Sequence, residues 1–306
     1  MSAVAGPIES AAGTLQLVAA AISEAAGRER NEDVALARPL LAAGGRDGYL
    51  LAIADGMGGH PAGEVASRIA VETLVESLNA VTDVDLGLAL KQAYRKANDA
   101  IYEAGRADAS RAGMGTTLTA ALLRGQYATV ANVGDSRAYL LRGSGLTQVT
   151  RDHTVAEDEV AAGRITSDAV RRDPRRNILT QVVGTSPRLD GQLPNVFELT
   201  LLPGDRLLLC SDGLYDVLDD GDLRHALLNQ DPDEAARDLV ALARQRGTRD
   251  NASAVVAAAI PTRVPAVTVP QPAPRTGGFP GTAIAAVVAV LLVALLLLAL
   301  FLLGAV

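Results

Sequence analysis

Four aspartates lie at the ends of apolar runs of strand length, and this repeated pattern constrains the fold more than any other feature of the chain. Three follow such runs and one precedes the last run before residue 261; they are Asp55, Asp135, Asp212 and Asp250. Taken singly, each is most simply a turn residue, because Asp and Gly commonly end strands. Taken together on one sheet system, they predict that strand ends bring distant carboxylates together, where neighbouring glycines allow close approach.

The wider pattern predicts a layered domain of strands and helices. Strand-like apolar runs occupy residues 49–54, 117–133 (two strands joined at Arg124-Gly125), 138–141, 206–210 and 252–260. Helical spacing predicts helices at 62–79 and 85–107, and a third that begins at Pro232 with Asp231 as its cap. Strand pairs joined by short turns, with helices outside them, indicate an α/β (α+β) fold with largely antiparallel sheets.

The composition restricts the classes of protein to which the chain can belong. Its 306 residues have a net charge of −7, which argues against a general nucleic-acid binder because such proteins need a basic surface. A single cysteine, Cys210, excludes an intramolecular disulfide framework. With only three histidines beside that cysteine, a zinc site of the Cys/His kind is not expected.

The predicted carboxylate cluster needs a cation, because close carboxylates cannot all stay ionised otherwise. Oxygen ligands without His or Cys select hard ions such as Mg²⁺ or Mn²⁺. Two such ions that share a bridging aspartate can activate a water and stabilise an in-line displacement at phosphorus. The residues therefore indicate metal-assisted phosphoryl chemistry.

The C-terminal segment predicts a membrane anchor. No charged residue occurs in 276–306, and 282–303 consists almost entirely of apolar residues. A helix over 282–303 would reach roughly 33 Å, about the thickness of the hydrocarbon core of a bilayer. Arg263 and Arg275 lie on its N-terminal side, so the positive-inside rule predicts a single-pass anchor in the cell membrane with the preceding domain in the cytoplasm. The N-terminus, which includes Glu9 and no basic region, does not resemble a signal peptide.

Two further segments show no strand or helix pattern. Residues 261–281 are rich in proline and predict an extended spacer between a domain at 1–260 and the anchor, with recognition by a proline-binding partner as an alternative. Residues 152–188 look like a polar surface excursion with clustered arginines, namely Arg171, Arg172, Arg175 and Arg176. A solvated charged face is favoured there over a dedicated anion site.

Six short motifs occur in an order that resembles the bacterial type-2C metal-dependent Ser/Thr protein phosphatases. They are Arg28-x-x-Asn31-Glu32-Asp33, Asp55-Gly56-Met57-Gly58-Gly59-His60, Gly115-Thr116-Thr117, Gly134-Asp135-Ser136-Arg137, Ser211-Asp212-Gly213-Leu214 and Arg249-Asp250-Asn251. The resemblance runs from about Leu15 to Ile260. It implies a four-layer αββα sandwich of largely antiparallel sheets flanked by helices, to which 282–303 would add one transmembrane helix.

The resemblance also implies a metal-ligand set. Asp55 would bridge two Mn²⁺ or Mg²⁺ ions and serve catalysis directly. Asp212 and Asp250 would complete the first site, while Glu32 and the Gly56 carbonyl would serve the second. The positions of Asp135 and Asp212 match those that hold a possible third ion in bacterial relatives.

The resemblance assigns the substrate side of the site as well. Arg28 would bind the substrate phosphate, since a guanidinium suits two non-bridging oxygens. Asp33 and Asn251 would support the site, and a bridging water or hydroxide would attack without a phosphoenzyme intermediate. Eukaryotic members have a histidine where this chain has Met57; His60 follows three residues later, and its role as general acid stays open.

The remaining candidates have plainer interpretations. His153 and His225 are interpreted as structural, and Cys210, within an apolar strand, as a small buried hydrophobic residue.

The leading hypothesis is a protein phosphatase that removes phosphate from phosphoserine and phosphothreonine. Its expected partners are phosphorylated proteins, including Ser/Thr kinases and their substrates, and membrane lipid through the C-terminal helix, with no nucleic acid. A catalytically inactive membrane scaffold that binds phosphoproteins is the alternative, but such proteins usually lose metal carboxylates, which are all present here. A hydrolase of small phosphoesters would share the same chemistry.

Overall fold

The computed structural model describes residues 15–40, 48–58, 62–79, 85–228, 231–261 and 281–303. The chain divides into two compact units, Met1–Arg263 and Val264–Val306. His60 and most of the predicted spacer, namely residues 262–280, lie outside the described residues.

The described elements alternate between short strands and helices. The strands are β1 (Leu15–Glu24), β2 (Asp33–Leu40), β3 (Gly48–Met57), β4 (Gly115–Thr116), β5 (Leu118–Arg124), β6 (Tyr127–Val133), β7 (Arg137–Arg142), β8 (Gly145–Gln148), β9 (Asn195–Thr200), β10 (Arg206–Cys210) and β11 (Ala252–Pro261). The helices are α1 (Ala62–Leu78), α2 (Leu86–Ala107), α3 (Val155–Ala161), α4 (Ser167–Val170), α5 (Asp212–Tyr215), α6 (Asp220–Leu228), α7 (Pro232–Gln245) and α8 (Gly281–Leu303).

Within the described residues the strands form two antiparallel sheets. The first has the order β1-β11-β10-β7-β8, and the second has the order β2-β3-β5-β6-β9 with β4 paired to β3. All the strand pairs in both sheets are antiparallel, which confirms the predicted sheet type. The two longest pairings involve the two N-terminal strands. β1 pairs with β11, which lies much later in the chain, and β2 pairs with β3, the next strand.

Alternation along the strands divides the core into layers. In β3, Leu51 and Ile53 point into a cluster shared with the other sheet, whereas Leu50 and Ala52 point into a cluster with α1 and α2. This follows because successive strand side chains face opposite sides of a sheet. A third cluster packs α5, α6 and α7 against the outer face of the first sheet. The layers are therefore helices, sheet, sheet and helices.

Local signals confirm most of the predicted elements. The strand boundaries at 206–210 agree with β10, and the turn at Arg124-Gly125 separates β5 from β6. Asp231 accepts a hydrogen bond from the backbone N–H of Asp233, and Pro232 begins α7 as predicted. Asp85 caps α2 in the same way through the N–H of Leu88.

Five strands were not predicted from the sequence: β1, β2, β4, β8 and β9. The β1 segment (LQLVAAAISE) contains a run of alanines, which favours helix over strand on propensity alone. Its ten residues pair along the whole of β11, so tertiary pairing outweighs that local preference. Pro39 lies near the end of β2, which is an edge strand of the second sheet, and edge strands are where proline is tolerated in a sheet.

The second unit contains α8, a helix of 23 residues with side chains described for 285–299. Apolar side chains there are exposed within the structure, for example Val290 and Leu296. Within the part of the chain that the structure describes, no helix meets the length and apolar character required to cross a membrane.

Candidate active site

The antiparallel topology brings the predicted site residues to one end of the two sheets. At this end β3 and β10 finish while β2 and β11 begin. Asp33, the first residue of β2, is paired in register with Asp55 near the end of β3. Asp212 directly follows Ser211 after β10, and Asp250 lies two residues before β11. Distant segments of the chain therefore meet at this one edge.

A cavity of about 290 Å³ lies between these strand ends. It is lined by Arg28, Glu32, Asp55, Gly56, Met57, Gly58, Thr117, Asp135, Asn177, Leu179, Asp212, Asp250 and Asn251. All the predicted metal ligands and the predicted phosphate-binding arginine are among them. Asp33 is the one predicted site residue that does not line the cavity.

Asp33 lies behind the cavity in a network of hydroxyl groups. Ser211 Oγ and Ser253 Oγ each donate to Asp33 Oδ2 at 2.7 Å. Burial raises the pKa of Asp33 to about 6, although these two hydrogen bonds oppose the rise. The carboxyl group of Asp33 is fixed from the protein side and lies next to Asp55 across the sheet.

Asp55 is held by its backbone, which leaves its carboxylate facing the cavity. The N–H of Asp55 donates to Thr117 Oγ1 at 3.0 Å, and the N–H of Thr117 donates to the Asp55 carbonyl at 2.9 Å. Burial, followed by the charges of Asp33 and Asp212, raises the pKa of Asp55 well above its usual value. Thr117 occurs in one of the recognised motifs, but the sequence alone gave it no role.

Asp212 and Asp135 occupy the other side of the cavity. Burial and the neighbouring charge of Asp135 raise the pKa of Asp212 well above its usual value. Burial, with the charge of Asp152, raises the pKa of Asp135 to about 7. The backbone carbonyl of Asp135 accepts a 3.0 Å hydrogen bond from the hydroxyl of Tyr215, which lies three residues after Asp212 on α5.

Arg28 forms a two-point ion pair with Asp250. Its Nε donates to Oδ1 at 2.9 Å and its Nη2 donates to Oδ2 at 2.7 Å, and this pairing raises the pKa of Arg28. Half of the Arg28 side chain is exposed, so the guanidinium reaches the cavity from its open side. The same planar fork fits two oxygens of a phosphate group.

Glu32, Gly56 and Asn251 lie together at the base of the cavity. Asn251 Oδ1 accepts from the Glu32 N–H at 2.9 Å, and its amide nitrogen donates to the carbonyls of Ala25 and Arg30. A Cβ atom at Gly56 would lie 2.1 Å from the carbonyl oxygen of Gly63, so only glycine allows α1 to begin so close to this strand. Asn251 thus fixes the segment that presents Glu32.

The donor set fits divalent cations. Asp212 Oδ1 is buried and has no hydrogen-bond partner among the described residues, which is costly unless a ligand supplies one. Carboxylate and carbonyl oxygens from Asp55, Asp212, Glu32 and Gly56 are the ligands preferred by Mg²⁺ and Mn²⁺. Within the described ranges, no three Asp, Glu, His or Cys side chains are already arranged as a metal-binding group. Both carboxylate oxygens of Asp250 accept hydrogen bonds from Arg28.

Two residues of the stretch 152–188 line the cavity, and the sequence alone did not single them out. Asn177 and Leu179 line the cavity, and Arg176 and Asn177 both donate to Asp216 at 3.1 Å. Arg175 pairs with Asp173 at 2.9 Å and Arg171 approaches Asp220 at 3.6 Å. These pairings support the interpretation of a charged surface over that of a dedicated anion site. No periodic pattern in this stretch could have identified its two lining residues.

Sequence comparisons agree with this geometry. A sequence profile described as protein phosphatase 2C matches residues 28–254. The chain is 40% identical over 208 residues to serine/threonine protein phosphatase PstP of Mycobacterium tuberculosis; the match covers 68% of this chain and 40% of PstP, so the chain spans less than half of that relative. It is 32% identical over 207 residues to serine/threonine phosphatase stp of Listeria monocytogenes, which covers 66% of this chain and 81% of the relative.

Solved structures are similar across the same region. The crystal structure of M. tuberculosis PstP/Ppp has a TM-score of 0.71 and 38% identity, and the match covers 80% of this chain and 99% of that one. The catalytic domain of PstP in complex with two manganese ions has a TM-score of 0.69 and 37% identity, and the match covers 81% of this chain and 99% of that one. Since the family profile covers well over half of the chain, this protein belongs to the protein phosphatase 2C family.

Proposed function

We propose that this chain is a metal-dependent protein-serine/threonine phosphatase. The observation that supports it most directly is the convergence of Asp55, Asp212, Asp250 and Glu32 on one cavity with Arg28 at its open side. Relatives that share 32–40% identity are named serine/threonine phosphatases. The substrates would be phosphoserine and phosphothreonine residues of proteins.

The proposed cofactor is a pair of Mn²⁺ or Mg²⁺ ions, with a possible third. Asp55 would serve both ions, Asp212 and Asp250 the first, Glu32 and the Gly56 carbonyl the second, and Asp135 with Asp212 the third. When bound, such ions supply an activated water and neutralise negative charge at phosphorus. A PstP structure with two manganese ions supports this choice of metal.

The protein's own groups bind and orient around that centre. Arg28 would bind two phosphate oxygens and hold the monoester in line with the attacking water. Thr117 holds the backbone of Asp55 by two hydrogen bonds, and Asp33 is the register partner of Asp55 on the neighbouring strand. Cys210 is unsuited to be a nucleophile, since it is fully buried and burial raises the pKa of its thiol to about 12. Direct attack by water is therefore favoured over a cysteinyl-phosphate route.

The inactive-scaffold alternative is less well supported. A phosphoprotein-binding scaffold has no need for enclosed carboxylates whose pKa values are raised by burial and by neighbouring carboxylates, as those of Asp55 and Asp212 are. The complete set of carboxylates around the cavity supports turnover.

The direct test is hydrolysis of a phosphothreonine peptide by the full chain with Mn²⁺, with a chelator, and with Asp212→Ala. We expect turnover that requires Mn²⁺ and is nearly lost in the variant. Exposed Asp238 on α7 provides a matched control, because Asp238→Ala should retain activity. Folded wild-type protein that binds Mn²⁺ without turnover would favour the scaffold instead.

We further propose that residues 282–303 anchor the chain in the cell membrane, with the domain at 1–260 on the cytoplasmic side and 261–281 as a spacer. The proposal is supported by the helix Gly281–Leu303 and by the lack of charge in 276–306. In this position the enzyme would act on membrane-associated phosphoproteins such as Ser/Thr kinases.

Fractionation of cells tests the anchor. The full chain should stay with membranes through an alkaline wash, while a chain lacking 282–303 should appear in the soluble fraction with its phosphatase activity intact. A full chain found in the soluble fraction would contradict the anchor and leave the proposed activity untouched.

A further inference from the structure

The turn that presents Asp135 is tightly enclosed. It links β6 to β7 through Gly134, Asp135 and Ser136. Gly134 has a φ of +103°, and a Cβ atom there would lie 2.6 Å from Cβ of Thr117. Ser136 Oγ lies 2.8 Å from Thr117 Oγ1. The turn therefore has little freedom on the side of Thr117, and its position depends on what it contacts on the other side.

On that other side, both backbone polar groups of Gly134 are bound by one residue, His153. The N–H of His153 donates to the Gly134 carbonyl at 2.9 Å, and the N–H of Gly134 donates to His153 Nδ1 at 3.0 Å. Nε2 lies 2.9 Å from the side-chain amide of Asn195 at the start of β9. Burial lowers the pKa of His153, which favours the neutral ring that an accepting Nδ1 requires.

The segment around His153 is fixed by contacts that do not involve its ring. Arg137 binds the Asp152 carboxylate through Nε at 2.9 Å and Nη2 at 2.7 Å. Asn132 Nδ2 donates to the Arg151 carbonyl at 3.1 Å, and the N–H of Thr180 donates to the His153 carbonyl. A change of the imidazole alone should therefore leave residues 151–153 in place. The ring contributes one specific feature, an acceptor for the Gly134 N–H.

We propose that His153 is a positioning residue that orients the Gly134–Asp135 turn and thereby sets the affinity of the metal site formed by Asp135 and Asp212. Without the Nδ1 acceptor, the buried N–H of Gly134 must rotate to find another partner, and the next residue in the chain is Asp135. Partners behind a metal ligand commonly influence affinity by 10- to 100-fold when they are removed. The inference rests on the proposed function for the identity of the ions.

The test is a calorimetric titration of metal-free full chain with Mn²⁺, in the absence of substrate. His153→Leu fills the space of the ring without an acceptor, whereas His153→Asn places an amide oxygen close to the position of Nδ1. We expect Leu to weaken the weakest Mn²⁺ binding by about 10- to 100-fold and Asn to retain most of it. His225→Leu on α6 is the matched control, because His225 is exposed and should show wild-type Mn²⁺ binding.

Kinetics provide a second readout, since loss of a metal should lower kcat and raise the Mn²⁺ concentration needed for half-maximal activity, with KM for the phosphopeptide unchanged. If His153→Leu does not fold, His153→Gln replaces it, because the glutamine amide reaches the position of Nε2 rather than that of Nδ1. The His153→Gln protein should then bind Mn²⁺ less tightly than the His153→Asn protein. Equal Mn²⁺ binding by Leu and wild type, or by Gln and Asn, would overturn the proposal. Mn²⁺ binding without any wild-type turnover would instead contradict the phosphatase assignment.

Discussion

Two groups of enclosed aspartates in this domain differ in what neutralises them. Asp205 is 2% exposed and Asp152 is 4% exposed, and each accepts hydrogen bonds from an arginine, Arg142 and Arg137 respectively. In the cavity, by contrast, no arginine of the described chain is hydrogen-bonded to Asp55, Asp135 or Asp212.

The contrast separates carboxylates that serve the fold from those that serve a ligand. Arg142 and Arg137 offset part of the cost of burying Asp205 and Asp152 within the protein itself. Among the described residues that line the cavity, the one comparable pair is Arg28 with Asp250, and both of those side chains are substantially exposed. Burial, followed by the charges of neighbouring carboxylates, raises the pKa values of Asp55 and Asp212, so a cation is the group that would stabilise their ionised forms.

Removing one aspartate from each group tests most directly whether one group serves a ligand and the other serves the fold. Asp212→Ala should lower kcat/KM by about a thousandfold, the equivalent of about 4 kcal/mol, because it removes a ligand of the proposed ions. Without metal its melting temperature should stay the same or rise, since a repelling carboxylate is lost. Asp205→Ala should keep its activity but lose about 1–3 kcal/mol of unfolding free energy. Kinetics and thermal melts on both variants measure this, and similar profiles for the two would remove the distinction.

A smaller effect is expected at the exposed pair. Arg28→Ala should raise KM for a phosphopeptide by about 10- to 100-fold, because charge-assisted hydrogen bonds to phosphate are lost, while the Mn²⁺ requirement changes little. Arg237→Ala on α7 is a suitable control, since Arg237 also pairs with an aspartate, Asp233, on the exposed surface. Steady-state kinetics with both variants would detect the difference; an unchanged KM would remove Arg28 from the substrate role.

The last expected effect is a pH dependence of stability in the metal-free protein. The pKa of Asp135 is about 7 when folded, against about 3.9 for an unfolded aspartate, so between these values the folded state binds more protons. Stability should therefore fall as pH rises from about 4 to 7. Thermal melts with a chelator should show this decline, and Asp135→Asn should show less of it. Identical slopes for variant and wild type would mean that Asp135 is not the group responsible.

The structure brings together most of the site residues named from the sequence, whereas five of its strands were not predicted. Most of the site residues follow a strand end or precede a strand start, where Asp-Gly patterns are local and visible. β1 was missed because its alanine run favours helix, and only pairing with β11 makes it a strand. Asn177 and Leu179 were missed because a wall without periodicity gives no signal of the surface it faces.

Glu32 and Asp33 show where sequence ends and tertiary structure begins. The sequence alone shows that Glu32 and Asp33 are adjacent carboxylates, and it predicts helices that begin near Asp85 and Asp231, because capping and burial patterns involve near neighbours. Only the tertiary structure decided that Glu32 lines the cavity while Asp33 is buried behind it against Ser211 and Ser253. It likewise decided that Arg28 reaches Asp250, a residue 222 positions away. Such contacts depend on which strands pair, and that choice is made by the burial of whole sheets rather than by any local pattern.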